Sequence, residues 1–157
     1  MQKFRKEKEK IRDQIIKSLE VYKGKDGFTF APFSSPTNVK LCDNDTEVLL
    51  MKLNEDNWLL LTTKYLFVKQ DGTIYNIDGD KITSFKFLNL KHRRNKEKMA
   101  EFDSRGEFKS WLYSGDFEIT VESGVSVIVN LPYHNFGFCL FNAMKKLRFV
   151  TSRYEGF

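Results

Sequence analysis

The chain has 157 residues, of which 41% are hydrophobic, 15% aromatic and 30% charged. The length suits a single domain, and the aromatic content is typical of a folded chain and excludes general disorder. No apolar run approaches the roughly 20 residues that span a bilayer, and the first residues lack the apolar stretch of a secretory signal. We therefore expect one folded cytoplasmic domain, in which Cys42 and Cys139 form no disulfide.

The formal net charge of +5 is concentrated in two short segments. Residues 1–25 contain nine Lys or Arg and four Asp or Glu, and residues 91–98 contain five Lys or Arg and one Glu. The rest of the chain is mildly acidic, so the overall charge is a poor guide to partners. Any preference for an anionic partner must come from one or both of these segments.

Residues 1–24 predict an amphipathic helix. One apolar stripe recurs at helical spacing, and Gly24 is suited to the position just after a helix end. The helix could lie on a membrane surface, but its stripe lacks Trp, so packing against the rest of the chain, or against a second copy in a homo-oligomer, is favoured. The residues of the stripe are Phe4, Ile11, Ile15, Leu19 and Tyr22.

Residues 28–40 read as a short extended piece and a loop, and about seven antiparallel strands follow, mostly within residues 47–131. The clearest local signal is Asp71-Gly72, a favoured two-residue type I′ turn, which places Gln70 opposite Thr73. Counting outward from this turn pairs Val68 with Tyr75 and Leu66 with Ile77, which agrees with the apolar pattern.

A second hairpin is predicted around Gly124. A three-residue loop with Gly124 in the left-handed conformation pairs Ile119 with Val127 and Phe117 with Val129. A two-residue loop would instead set the valines opposite polar residues, because a one-residue slip turns a whole strand over. The three-residue loop is therefore favoured.

The C-terminal part predicts a second long helix after Pro132. Its apolar stripe recurs at intervals of four and three, and Lys145, Lys146 and Arg148 lie near its end, where they suit the helix dipole. Residues 98–113 are ambiguous, and we predict a strand for their second half. The stripe consists of Phe136, Leu140, Ala143, Leu147 and Val150, with Cys139 and Met144 beside it.

This element order predicts an α+β fold. Antiparallel strands with short turns and a terminal helix suit a strongly bent sheet or partly open barrel, which the C-terminal helix caps. We expect the N-terminal helix in residues 1–24, the barrel with its capping helix in 25–151, and a short tail in 152–157.

Two strand patterns resemble those of bacterial pleckstrin-homology-like (PH-like) domains. Residues 58–68, Trp-Leu-Leu-Leu-Thr-Thr-Lys-Tyr-Leu-Phe-Val, resemble the family's apolar strand that ends in Leu-Thr and is followed at once by an aromatic strand. Residues 82–87, Ile-Thr-Ser-Phe-Lys-Phe, resemble a later family strand. The resemblance covers roughly residues 45–150 and implies a seven-stranded PH-like barrel with a non-enzymatic binding role. The loop at residues 54–57, Asn-Glu-Asp-Asn, is acidic where phosphoinositide-binding members carry Lys or Arg, which argues against that ligand here.

The strongest candidate site is the cluster at residues 91–98. Its five cations could hold several phosphates of a nucleic acid or a lipid headgroup, each Lys or Arg near an anionic surface contributing about 1 kcal/mol. The simpler alternative is a solvated loop between strands. The candidate binding residues are Lys91, His92, Arg93, Arg94, Lys96 and Lys98.

Other chemistries find no support. Residues 43–47 begin like a calcium loop, but Val48 occupies the position that requires Gly, so we expect a turn at the start of a strand. Neither His92 nor His134 has a second ligand at metal spacing, and no phosphate-binding Gly loop or nucleophile elbow is present. We expect Cys139 in the core, and we expect no metal, cofactor or enzymatic activity.

Two functional hypotheses follow. The first is a binding module whose partner is a protein or peptide, with an anionic lipid surface as a further option. The second is a nucleic-acid-binding protein that uses the same cluster and the basic first helix. The cluster contains no aromatic residue on which bases would stack, which makes nucleic acid the less favoured partner.

Overall fold

A computed structural model describes residues 2–33 and 39–153 of the chain, with side chains described for 7–33 and 39–151. The chain divides into two compact units. One consists of Met1–Lys81 with Asn142–Phe157, and the other of Ile82–Phe141. The part of the predicted loop at 34–38, the side chain of Phe4 and the predicted tail at 152–157 lie outside what is described in side-chain detail.

The first unit begins with the predicted helix, α1 (Gln2–Ser18), and a 3-10 turn at Glu20–Tyr22. Gly24 follows with φ of +81°, the left-handed conformation that ends the helical region without a steric penalty. The described members of the predicted stripe are all buried, which confirms the amphipathic pattern: Ile11, Ile15, Leu19 and Tyr22.

The first unit also contains a five-stranded antiparallel sheet in the order β1-β2-β3-β4-β5. Its β4–β5 hairpin has the predicted register, with Gln70 opposite Thr73 and Val68 opposite Tyr75. Asp71 and Gly72 both have positive φ, 52° and 81°, as a type I′ turn requires. The strands are β1 (Phe28–Phe30), β2 (Glu47–Lys52), β3 (Trp58–Thr62), β4 (Tyr65–Gln70) and β5 (Thr73–Asp78).

The second unit contains a three-stranded antiparallel sheet in the order β6-β7-β8. Ile119 lies opposite Val127 and Phe117 opposite Val129, and Gly124 has φ of +85°, so the three-residue hairpin loop is confirmed. The strands are β6 (Ile82–Phe87), β7 (Gly115–Val121) and β8 (Ser126–Leu131). The described residues thus contain eight strands where about seven were predicted, and neither sheet closes on itself.

The strand predicted for the second half of residues 98–113 is wrong. A four-residue helix, α2 (Lys96–Met99), is followed by α3 (Arg105–Leu112). The Ser104 side chain accepts a hydrogen bond from the backbone N–H of Glu107 at 3.1 Å. The Glu107 carboxylate in turn accepts one from the backbone N–H of Asp103 at 3.3 Å, so Ser104 and Glu107 close the first turn much as a capping box does.

The last element, α4 (His134–Arg153), begins in the second unit and ends in the first. Its predicted stripe is buried along its whole length, including the two flanking residues Cys139 and Met144. Two glycines mark close approaches. A Cβ on Gly137 would collide with the carbonyl oxygen of Tyr113, and one on Gly79 would lie 2.7 Å from Cγ of Leu147. None of the described helices is long and apolar enough to cross a membrane.

Candidate functional site

The basic cluster at residues 91–98, hereafter the basic segment, is built from two short helical pieces. Lys91 and His92 end a 3-10 helix that begins at Leu88, Arg93 and Arg94 form the turn, and α2 begins at Lys96. The Asn95 side chain caps α2 by accepting a hydrogen bond from the backbone N–H of Lys98 at 3.1 Å. The segment is therefore neither a strand nor an open loop, and local hydrogen bonds hold its backbone.

Four of the six candidate side chains are exposed and have no ion-pair partner among the described residues: Lys91, Arg93, Arg94 and Lys96. The other two side chains turn toward α3. Nζ of Lys98 lies 2.7 Å from a carboxylate oxygen of Glu101 and 4.9 Å from the centre of the Trp111 ring. The His92 ring lies 5.7 Å from the same indole. The segment therefore has a cationic outer side and an inner side that packs on Trp111.

An aromatic cluster on and beside α3 supports the inner side. Phe102 and Phe108 pack on the Trp111 indole with ring-centre distances of 5.4 Å and 6.2 Å. The carbonyl oxygen of Trp111 accepts a hydrogen bond from the amide of Asn89 at 3.1 Å, which ties the 3-10 helix that leads into the segment to the end of α3. Trp111, Glu101 and Asn89 were not singled out from the sequence. The Ser104…Glu107 spacing is the one signal that could have placed Trp111 on a helix.

These aromatic side chains do not offer an open stacking surface. Trp111 is half-buried and contacts His92, Lys98, Phe102 and Phe108, and Phe108 is only 3% exposed. Bases that stack on a protein need an accessible ring face. The aromatic residues beside the basic segment therefore do not strengthen the nucleic-acid hypothesis.

The basic residues of α1 belong to the first unit, and one of them has structural contacts. The Lys8 ammonium donates hydrogen bonds to the carbonyl oxygens of Asp43 and Asp45 at 2.7 Å and 3.4 Å. Arg12 pairs with the neighbouring Asp13 at 3.1 Å, whereas Lys10 is exposed. Lys8 therefore helps to hold the segment before β2 and is less available to a partner.

The acidic residues at 43–47 form a turn at the start of β2, as expected. The Asp45 carboxylate is 3% exposed and accepts hydrogen bonds from the hydroxyls of Thr63 and Thr62 at 2.7 Å and 2.9 Å. It also accepts one from the backbone N–H of Thr46 at 2.9 Å. Burial raises the pKa of Asp45, and these hydrogen bonds oppose the shift. No group of three or more metal-ligating side chains occurs in the described part of the chain.

The acidic loop at residues 54–57 forms one side of an open groove of about 590 Å³. The β4–β5 turn forms the other side, and the side-chain oxygen of Asn57 accepts a hydrogen bond from the backbone N–H of Asp71 at 3.1 Å. Glu55, Asp56 and Asp71 line the groove, with Lys69 as its one cation. The groove is acidic, so it does not suit a phosphate ligand.

Two further groups have perturbed pKa values. Burial raises the pKa of the Cys139 thiol to about 12, and the side chain lies in the core as predicted, so it is not a thiolate at neutral pH. Burial, together with the hydrogen bond and the charge of Asp80, raises the pKa of Asp78 to about 6. Cys42 is exposed, and neither cysteine forms a disulfide.

Comparison of the chain with protein-family models, with curated proteins and with solved structures found no match.

Proposed function

We propose that the chain is a non-catalytic, PH-like binding module whose basic segment binds an acidic stretch of a partner protein. The order of elements supports the first part of this proposal. β2 to β8 are seven strands in two antiparallel sheets, with the short helices α2 and α3 between β6 and β7, and one long helix, α4, follows them. In this view α1 and β1 are additions at the N-terminal side. The Asp45 carboxylate and the Cys139 thiol, two buried groups that could serve catalysis, have structural roles instead.

One observation carries the choice of site: four exposed cations, which have no ion-pair partner in the described part of the chain, belong to a segment whose backbone is already ordered. The 3-10 helix, the Asn95 cap and the packing of His92 and Lys98 on Trp111 fix the backbone before any partner arrives. Ordering a flexible loop on binding would oppose association, and here little ordering is needed. Two of the cations are Arg, which can form bidentate hydrogen bonds with carboxylates.

The surroundings of the basic segment favour a protein over a membrane. Four cations at an anionic lipid surface contribute about 4 kcal/mol in all, no less than four exposed ion pairs with an acidic protein segment, so electrostatic attraction alone does not separate the two partners. Membrane-binding segments usually add exposed apolar side chains. The apolar residues of the segment's neighbourhood are instead half-buried: Leu88, Leu90, Met99, Phe102 and Trp111. An acidic protein segment can add directional hydrogen bonds to the electrostatic attraction.

A titration with a fluorescently labelled poly-glutamate peptide tests the proposal. The variant replaces the four exposed cations with Gln (K91Q, R93Q, R94Q and K96Q). The matched control removes four exposed lysines of the first unit (K10Q, K17Q, K25Q and K52Q). Each exposed ion pair contributes about 0.2–1 kcal/mol, so we expect the variant, which loses four, to bind about fourfold to about a thousandfold more weakly.

The control variant should bind the peptide about as well as the wild type, and wild-type binding should weaken between about 50 and about 300 mM salt. Equal loss in both variants would show a nonspecific charge effect and would refute the site. Phosphatidylserine vesicles and single-stranded DNA are titrated in parallel. If the vesicles or the DNA bind more tightly than the peptide, and the variant with four Gln loses that binding, then the lipid or the nucleic acid is the ligand of the basic segment and the acidic protein segment is not.

A further inference from the structure

The last strand of the five-stranded sheet, β5, has an exposed edge. β5 pairs with β4 on one side only, and no other strand adjoins it among the described residues. The side chains of residues 73–76 are exposed on both faces of the sheet, including Ile74 at 46% and Tyr75 at 41%. An edge strand presents a row of unpaired backbone groups, which is a template for another strand.

The hairpin geometry determines which backbone groups face outward. In the turn at Asp71-Gly72, the N–H of Thr73 points back toward Gln70 on β4. Because the direction alternates along an antiparallel strand, the backbone groups of Tyr75 and Ile77 also face β4, and those of Ile74 and Asn76 face outward. Within the described part of the chain, residues 73–77 make no backbone hydrogen bond outside their pairing with β4.

This edge also lacks the usual protection against strand pairing. Proteins guard exposed edges with charged residues, Pro, bulges or very short strands. Residues 73–77 are Thr-Ile-Tyr-Asn-Ile and contain no charge and no Pro, and the β4–β5 register shows no bulge. The opposite edge of the same sheet, β1, has three residues and is followed closely by Pro32. The two edges of one sheet therefore differ sharply in their protection.

We propose that β5 pairs with β5 of a second copy of this chain, so that two five-stranded sheets join into one continuous sheet. An antiparallel pair centred on Tyr75 places Tyr75 opposite its counterpart, Ile74 opposite Asn76, and Thr73 opposite Ile77. In this register the outward-facing groups of Ile74 and Asn76 meet and form four backbone hydrogen bonds across a two-fold axis.

A second copy suits this edge because the edge complements itself. No like charges meet in the paired stretch, since the first charged residues, Asp71 and Asp78, lie beyond its ends. On one face of the joined sheet the two Tyr75 rings lie side by side at the two-fold axis, and on the other face each Ile74 lies opposite a neutral Asn76. The association does not involve the basic segment, so it is independent of the proposed function.

Sedimentation equilibrium of the full chain tests the pairing over about 10 µM to about 1 mM protein. The variant Tyr75→Lys places two ammonium groups against each other at the two-fold axis. The control, Thr29→Lys, adds the same charge to an exposed site on β1, at the other edge of the sheet. We expect the wild type and the control to form dimers as concentration rises, and Tyr75→Lys to remain monomeric at least tenfold beyond the wild-type midpoint.

Amide hydrogen exchange locates the contact. In the wild type at high concentration, the amides of Ile74 and Asn76 should be protected relative to dilute protein, and far-ultraviolet circular dichroism should show that Tyr75→Lys is folded. Added salt should not dissociate the dimer, in contrast to peptide binding by the basic segment. A wild type that stays monomeric throughout, or a Tyr75→Lys variant that dimerises like the control, would overturn the proposal. Protection of these two amides only on adding a different protein would assign the edge to a partner strand instead.

Discussion

The buried carboxylate of Asp45 joins the turn before β2 to the end of β3, and its removal gives a defined loss of stability. In Asp45→Ala, the hydroxyl of Thr63 loses its acceptor at 2.7 Å. The hydroxyl of Thr62 can still donate to the carbonyl oxygen of Tyr65, which lies 3.2 Å away. The backbone N–H of Thr46 keeps a contact of 3.2 Å with the Thr63 oxygen.

The net loss follows from these contacts. A hydrogen bond to a charged group contributes about 1.5–3 kcal/mol. Asp45→Ala removes two hydroxyl bonds and one backbone bond to a carboxylate, of which two donors find other acceptors. Relief of the buried charge, whose burial raises the pKa of Asp45, offsets part of the loss. We therefore expect the free energy of unfolding to fall by about 3 kcal/mol.

Thermal unfolding followed by circular dichroism measures this change. A loss of about 3 kcal/mol lowers the Tm of a chain of this size by about 6–12 °C. Asp43→Ala is the matched control, because the Asp43 side chain is exposed and lies two residues away, and it should change stability by less than about 0.5 kcal/mol. If the two variants lose the same stability, the carboxylate of Asp45 does not hold these elements together and the reasoning is refuted.

Two further predictions concern packing and pH. Gly137→Ala should lower the free energy of unfolding by about 3 kcal/mol, because its Cβ would collide with the carbonyl oxygen of Tyr113. Gly106→Ala in α3 should instead raise the free energy of unfolding by up to about 1 kcal/mol, because Ala has the higher helix propensity and its Cβ meets no close neighbour. Urea titration of both variants measures these opposite changes. The raised pKa of Asp78, about 6 against an ordinary 3.8, means that the folded state holds this proton more tightly than the unfolded state. This contribution to stability is present below about pH 4 and is lost as the pH rises to about 6. Asp78→Asn should remove that dependence and stabilise the protein at pH 7, by only about 1 kcal/mol because the carboxyl is partly exposed and solvent screens its charge. An unchanged pH profile in Asp78→Asn would show that another group is responsible.

The elements predicted correctly are those whose signal is local. The type I′ turn at Asp71-Gly72 and the left-handed Gly124 specify a loop length, and the period of two then determines which residues pair. α1 and α4 carry apolar stripes long enough to separate a helical from a strand period. These features depend on residues close together in the chain, so no knowledge of distant contacts was needed.

The strand predicted in place of α3 failed because its apolar residues are too few to distinguish the two periods. Phe108, Trp111 and Leu112 fit a helix and a short strand almost equally. The deciding feature is the reciprocal bonding of Ser104 and Glu107 at the start of the helix, which fixes the first turn. This spacing is visible in the sequence and indicates a helix that begins after Ser104.

The sequence by itself determined where the positive charge lies, which turns reverse the chain and which helix faces are apolar, because these depend on residue type and short spacing. Only the tertiary structure decided that His92 and Lys98 pack on Trp111 while four neighbouring cations stay exposed. It also decided that Asp45 is buried and that β5 is an edge. The physical reason is that burial and strand neighbours are set by contacts between segments far apart in the chain. The two basic stretches of the sequence thus contain both ammonium groups with structural contacts, such as those of Lys8 and Lys98, and the four exposed cations of the basic segment.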